Sequence, residues 1–191
     1  MKFQELNTER LNLVQITEEH TESYFDIMSR DEVTKYYGMN SLKRLEDAEK
    51  MIASFPNTFN SNRGVRWGMI VKGSGAFIGT VGLNNLNAGS KRAEVGFELH
   101  PSFWNKGYTS EAVKEIINYS FNVLGLHRLG AVTFPQNDAS ISLLKKLGFV
   151  KEGILLGYLF QNKESHDAFV FSLLKTDHSV SKKANRGEIH D

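Results

Sequence analysis

The sequence predicts an α+β domain, and three observations carry that expectation. Residues 65–99 alternate apolar and polar positions in three runs joined by short turns. Two stretches, near 41–55 and 109–124, place apolar residues at helical spacing instead. Read through, the elements follow the order β-α-α-β-β-β-α-β-α-β-β, about seven strands and four helices.

Leu6 to Ile16 alternates loosely around Leu11, Leu13 and Ile16 and reads as a first strand. Thr17 can cap a helix whose first turn holds Glu18 and Glu19, which favour the positive end of its dipole. A second helix is expected from about Ser41 to Phe55 through Leu42, Leu45, Ala48, Met51 and Ile52. Val65, Trp67, Met69 and Val71 then alternate, Gly73-Ser74-Gly75 turns into 76–83, and 93–99 completes an antiparallel meander. Pro101 cannot donate to a ladder, so that strand ends there. A long amphipathic helix is predicted over 109–124, a strand over 128–134 and a helix over 137–147, which Gly148 stops. A strand pair, 149–156 and 167–174, closes the order. Residues 1–176 are expected to form one domain, with 177–191 a polar, disordered tail.

A chain of 191 residues can bury roughly 70% of its unfolded surface. Hydrophobic residues at 40% and charged ones at 24% are ordinary for a globular protein. The 23 basic and 22 acidic side chains leave a net charge of +1, so nothing demands a nucleic acid or a membrane as partner. With no cysteine, disulfides, thiolate metal sites and a cysteine nucleophile are excluded. The opening MKFQELNTER has no apolar run resembling a signal peptide, and a cytoplasmic location is the expectation.

The most informative stretch runs from Gly96 to Ala112, where a strand ends, a loop containing Lys106 and Gly107 follows, and a long helix begins. Backbone N–H groups of such a loop and of a helix N-terminus suit a doubly charged diphosphate. Gly107 lets the backbone approach the phosphates, Lys106 adds charge, and the hydroxyls of Thr109 or Ser110 can cap the helix or reach a phosphate. The same residues also suit an ordinary strand-to-helix turn.

Trp104-x-Lys106-Gly107-Tyr108-x-x-Glu111-Ala112 resembles the pyrophosphate loop of the GNAT acetyltransferases, in the form used by their RimJ/RimL-type branch. Thr8-Glu9-Arg10-Leu11-x-Leu13 is similar to that branch's opening strand, and Leu126-His127-Arg128-Leu129 to the entry of its fifth strand. Asn137-x-x-Ser140-x-x-Leu143-Leu144-x-Lys146-Leu147-Gly148-Phe149 is similar to its last helix. Two positions depart from the general motif: Trp104 replaces Gln or Arg, and Thr109 the second Gly or Ala.

The resemblance implies the GNAT fold, a mostly antiparallel mixed sheet splayed between its fourth and fifth strands, with acetyl-CoA held in the gap. It implies direct acetyl transfer to a primary amine, for which a protein N-terminal α-amino group and a small amine or antibiotic are both open. A non-enzymatic acyl-CoA-binding module is the rival reading, and a homodimer is open too. Implied cofactor contacts are the backbone of Phe97 and Leu99, the loop Trp104, Asn105, Lys106, Gly107, Tyr108, Thr109 and Ser110, and Asn137, Ser140 and Lys146. Glu98 and Glu94, evenly spaced on one strand face, are the candidate bases, with Glu98 favoured as the nearer to the strand end. A strand glutamate can equally be solvated or ion-paired. Where many GNAT enzymes carry a tyrosine acid this chain has Leu144, and Ser140 is the implied substitute; Asn137 and Ser140 can also serve only to cap their helix. Six scattered histidines give no metal pattern, and no metal is expected. Tyr36-Tyr37-Gly38 falls where the family places its acceptor loop.

Overall fold

The computed structural model describes residues 2–178, and positions 179–191 of the expected tail lie outside them. The strands are β1 (Leu6–Asn7), β2 (Leu11–Gln15), β3 (Val65–Val71), β4 (Phe77–Asn87), β5 (Arg92–Leu99), β6 (Arg128–Thr133), β7 (Val150–Gln161) and β8 (Glu164–Leu174). The α-helices are α1 (Thr21–Met28), α2 (Asp31–Thr34), α3 (Leu45–Asn60), α4 (Tyr108–Asn122) and α5 (Asp138–Lys146). All eight strands join in one sheet of order β1-β2-β3-β4-β5-β6-β8-β7.

The eighth strand arises because the expected first strand is a hairpin. The chain reverses between Asn7 and Leu11, so Leu6 pairs with Leu13 and Asn7 with Asn12. The Thr8 N–H donates to the Leu11 carbonyl, and the Thr8 hydroxyl oxygen accepts the Leu11 N–H. The second helix begins at Leu45 rather than near Ser41, since the Ser41 hydroxyl is drawn away to Thr34 and to Asp31. Asp47 instead accepts the Arg44 N–H at 3.2 Å and fixes the helix start. The closing hairpin is longer than its alternation suggests, because β7 and β8 stay paired out to Gln161 and Glu164.

The sheet separates two helix layers. Leu11 and Leu13, Val65, Trp67 and Met69, and Ala93, Val95 and Leu99 pack with α4 residues Ala112, Val113, Ile116 and Ile117 in the main core. A second cluster on the other face joins α1 residues Tyr24, Ile27 and Met28 to Ala48 and Ile52 of α3. Glu94, Gly96 and Glu98 alternate with the core positions of β5 and so face the α1–α3 side.

β5 and β6 are parallel and therefore need a long crossover, which α4 supplies. They pair only from Arg92–Arg128 to Glu94–Gly130. Beyond that point the strands part. Register fixes which backbone groups line the opening. His100 donates to Ile78 at 2.8 Å, so the even residues of β5 bond to β4 and the odd ones face away. On β6, Lys175 bonds to His127, which by the same alternation turns Val132 toward the gap. Phe97 therefore turns its backbone N–H and C=O toward the opening, and Leu99 its N–H.

Candidate active site

A cavity of about 1090 Å³ runs through the splay from the loop before α4 to the α1–α3 face. Every predicted site residue except Lys106 lines it, from Glu94, Phe97, Glu98 and Leu99 to Asn137, Ser140 and Lys146. The Lys106 ammonium instead donates to the Ser102 carbonyl at 2.9 Å and lies 5.4 Å over the Phe103 ring.

The loop is shaped by two left-handed residues, Asn105 at φ 59° and Gly107 at φ 79°. Asparagine and glycine are the residues that visit this region at least cost. Gly107 is the N-cap of α4, and no side chain caps the helix there. The amides of the first turn consequently have no intrahelical partner, and Gly107, Tyr108, Thr109 and Ser110 all border the cavity. A helix N-terminus with free amides suits an anion. Trp104 borders the cavity: its indole N–H donates to the Leu99 carbonyl at 2.8 Å, and the residue is 41% exposed. That bond closes the end of β5 and leaves the Leu99 N–H and the Phe97 groups toward the gap.

At the opposite wall, Asn137 caps α5, its Oδ1 accepting the Ser140 N–H at 3.2 Å. Ser140 and, one turn on, the buried Leu144 line the cavity. Asn137 thus both caps α5 and lines the cavity.

On the α1–α3 side the sequence missed most of the machinery. The Glu98 side chain is 1% exposed and that of Arg66 is 10% exposed, with Nη1 2.8 Å from Oε2. The Tyr37 hydroxyl donates to the same Oε2 at 2.8 Å, and the Thr80 hydroxyl donates to Oε1. Burial works against the Arg66 charge, but Tyr37 and Glu98 outweigh it and hold the guanidinium above its ordinary value. Burial likewise pushes the Tyr37 and Tyr24 hydroxyls up, so both keep their protons and Tyr37 stays a donor. Glu94 shares the wall with Glu98 but has a lighter set of contacts, its Oε2 accepting the Asn85 amide at 3.0 Å. His100 marks the strand end: Nδ1 accepts the Ser102 N–H, and Nε2 stands 3.1 Å from Asp26.

Tyr36 and Tyr37, of the expected acceptor loop, both line the cavity, and Gly38 does not. The loop is held from the β7–β8 turn. Gln161, 6% exposed, donates to the Thr34 carbonyl at 2.9 Å and accepts the Gly38 N–H at 3.0 Å. The Tyr36 ring meets Phe134 at 5.8 Å. No sequence signal marks Arg66 or Gln161, since a polar residue on a strand ordinarily faces solvent.

The sequence profile of the Acetyltransferase (GNAT) domain matches residues 10–150. The chain belongs to the GNAT acetyltransferases. This GNAT chain is 42% identical over 173 residues to the uncharacterized N-acetyltransferase YoaA of Bacillus subtilis, covering 91% of the chain and 98% of the relative. It is 29% identical to the putative ribosomal N-acetyltransferase YdaF of the same organism, over 68% of the chain and 69% of that protein. The ribosomal name agrees with the RimJ/RimL-type branch read from the sequence. The fold matches the spermidine N-acetyltransferase from Vibrio cholerae, solved with CoA and spermine, with a TM-score of 0.78 at 20% identity. That match covers 89% of the chain and 98% of the other.

As a GNAT enzyme it uses acetyl-CoA as acetyl donor. The residues present fit that molecule: an open strand edge at Phe97 and Leu99 for an extended arm with amides, and free helix-end amides for a diphosphate. Among the described residues there is no group of acidic and histidine side chains fit to hold a metal ion, and no helix is long and apolar enough to cross a membrane.

Proposed function

We propose that this chain transfers the acetyl group of acetyl-CoA directly to a primary amine, with a protein N-terminal α-amino group as the preferred acceptor, in one catalytic domain over residues 1–176. The observation that carries this reading is the single cavity in which the α4 amides, the open edge of β5 and the Tyr36–Tyr37 loop meet. A small polyamine is the second reading, favoured by the spermine in the fold neighbour. The proposal requires no nucleic acid or membrane partner, allows a homodimer, and goes with a cytoplasmic location.

Acetyl-CoA supplies the activated thioester, and the chain's own groups do the rest. Gly107 to Ser110 hold the diphosphate, and Lys146 lies within the same cavity. An N–H from Phe97 or Leu99, both facing the gap, stabilises the negative charge that develops on the acetyl oxygen, a contribution of a few kcal/mol. The ammonium of the acceptor must lose a proton before it attacks. Sequence position favours Glu98 as its receiver; geometry favours Glu94. Three donors already occupy the Glu98 carboxylate, so it suits the task of holding Tyr37 and Arg66, whereas Glu94 keeps capacity to accept. Ser140, which lines the same cavity, gives a proton or hydrogen bond to the leaving sulfur.

Incubating the protein with acetyl-CoA and a panel of N-terminal peptides and polyamines, with release of free thiol followed, tests the reading. Turnover with peptides is expected. Binding of CoA without thiol release from any amine would leave the non-enzymatic module as the better account.

A further inference from the structure

Two motifs that lie about a hundred residues apart in the chain meet behind the α4 loop. The Oε1 of Glu111, in the first turn of α4, accepts the Thr8 hydroxyl at 2.5 Å and the Arg10 backbone N–H at 2.7 Å. Its Oε2 accepts Nε of Arg10 at 2.6 Å. The other end of the guanidinium then reaches the loop: Nη1 donates to the Lys106 carbonyl at 2.9 Å, and Cζ lies 4.4 Å over the Tyr108 ring. Burial pushes the Glu111 carboxyl up, but the bonds from Thr8 and Arg10 outweigh it and keep the group ionised.

Peptide geometry turns this brace into a functional statement. In a trans peptide the carbonyl and the following N–H point in opposite directions. With the Lys106 carbonyl held toward Arg10, the Gly107 N–H is aimed the other way. Gly107, Tyr108, Thr109 and Ser110 border the cavity, and neither Lys106 nor Arg10 does. A loop with two left-handed residues has alternatives in which that peptide plane rotates. The Arg10 guanidinium, with Nε on Glu111 and Nη1 on the Lys106 carbonyl, selects one of them.

We propose that Arg10, fixed by Glu111, is a positioning residue for the donor site: it sets the Lys106–Gly107 peptide plane so that the Gly107 amide faces the diphosphate of CoA. The inference rests on the reading of this loop as the diphosphate site. It does not depend on which amine is acetylated.

Calorimetric titration of the full chain with CoA, combined with amide NMR of ¹⁵N-labelled protein, separates the possibilities. In the parent, CoA is expected to move the Gly107 amide proton downfield, as a new charge-assisted hydrogen bond does. Arg10→Ala and Glu111→Gln should each weaken CoA binding about tenfold or more and shift or broaden the Gly107 resonance of the free protein. Arg10→Lys, which keeps a donor for the Lys106 carbonyl but loses the fork, should recover part of the affinity. Thermal melts confirm that each variant is folded, and Arg10→Lys guards against a collapse of Arg10→Ala. CoA affinity within twofold of the parent in Arg10→Ala overturns the proposal, and so does lost affinity with an unmoved Gly107 signal. Binding of CoA by the parent without any response at Gly107 overturns the loop reading itself, and the proposal with it.

Discussion

Arg66 reaches Glu98 across a row of two glycines. The register sets Arg66 opposite Gly82 and Gly82 opposite Gly96, so the side chain of one strand lies over the backbone of the next two. A Cβ at Gly96 would come within 2.8 Å of the Asn84 amide and 3.2 Å of the Arg66 guanidinium. The glycines thus make the bed in which a buried ion pair forms beside the acceptor loop, and Tyr37 closes it from above.

That arrangement separates the two glutamates. Glu98→Gln leaves the Arg66 charge buried without its partner and should cost about 3 kcal/mol, in the range for breaking a buried pair. Glu94→Gln should leave stability nearly unchanged and lower kcat about a hundredfold. Denaturant melts and initial rates on both variants decide it; a stable, inactive Glu98→Gln and an active Glu94→Gln would return the base role to Glu98.

Within α5 the two polar residues should part company. Ser140→Ala is expected to lower kcat about a hundredfold with CoA affinity preserved. Asn137→Ala removes the cap that accepts the Ser140 N–H and should lower stability by about 1 kcal/mol. The measurement is kcat and CoA affinity set beside the melting temperature.

Gly107→Ala puts a Cβ on a residue at φ 79°, 3.3 Å from the Arg10 Nη2. The left-handed conformation costs about 1 kcal/mol for alanine. CoA affinity should fall about tenfold, read by calorimetry, while the melting temperature drops only a few degrees.

Gln161→Leu removes two of the bonds that tie the Tyr36–Tyr37 loop to the β7–β8 turn, the Asn162 N–H to Asn40 remaining. Leaving the Thr34 carbonyl and Gly38 N–H without these partners costs about 1–3 kcal/mol. The KM for the amine should rise severalfold, with the KM for acetyl-CoA unchanged. An equal rise in both would place Gln161 outside the acceptor side.

Acid stability should depend in part on Glu152. Hydrogen bonds from Arg128 and Ser172 hold its carboxyl at about 2, against an ordinary 4.5. Since the folded value is depressed, the stabilisation is full above about 4.5 and is lost as pH falls toward 2. The group is 43% exposed, so solvent screening limits the contribution to less than about 1 kcal/mol. Glu152→Gln should flatten the dependence of stability on pH across that window in acid-unfolding curves.

The order of strands and helices, the meander, the loop before α4 and the cap on α5 were legible in the chain. Each is written locally, in a period of two or 3.6, a proline or glycine at a break, or an asparagine at a helix start. The same local signal placed thirteen of the predicted residues on one cavity and failed for Lys106, whose long side chain turned back to Ser102. It read β1 and β2 as one strand and missed the turn that Thr8 closes on Leu11, against which Glu111, far along the sequence, packs its carboxylate. Only the tertiary structure decided the partners of Glu98, the clamp of Gln161 and the brace of Arg10. Pairings between residues 18 to 127 positions apart leave no periodic trace, and a polar side chain on a strand looks the same in sequence whether it meets water or a buried charge.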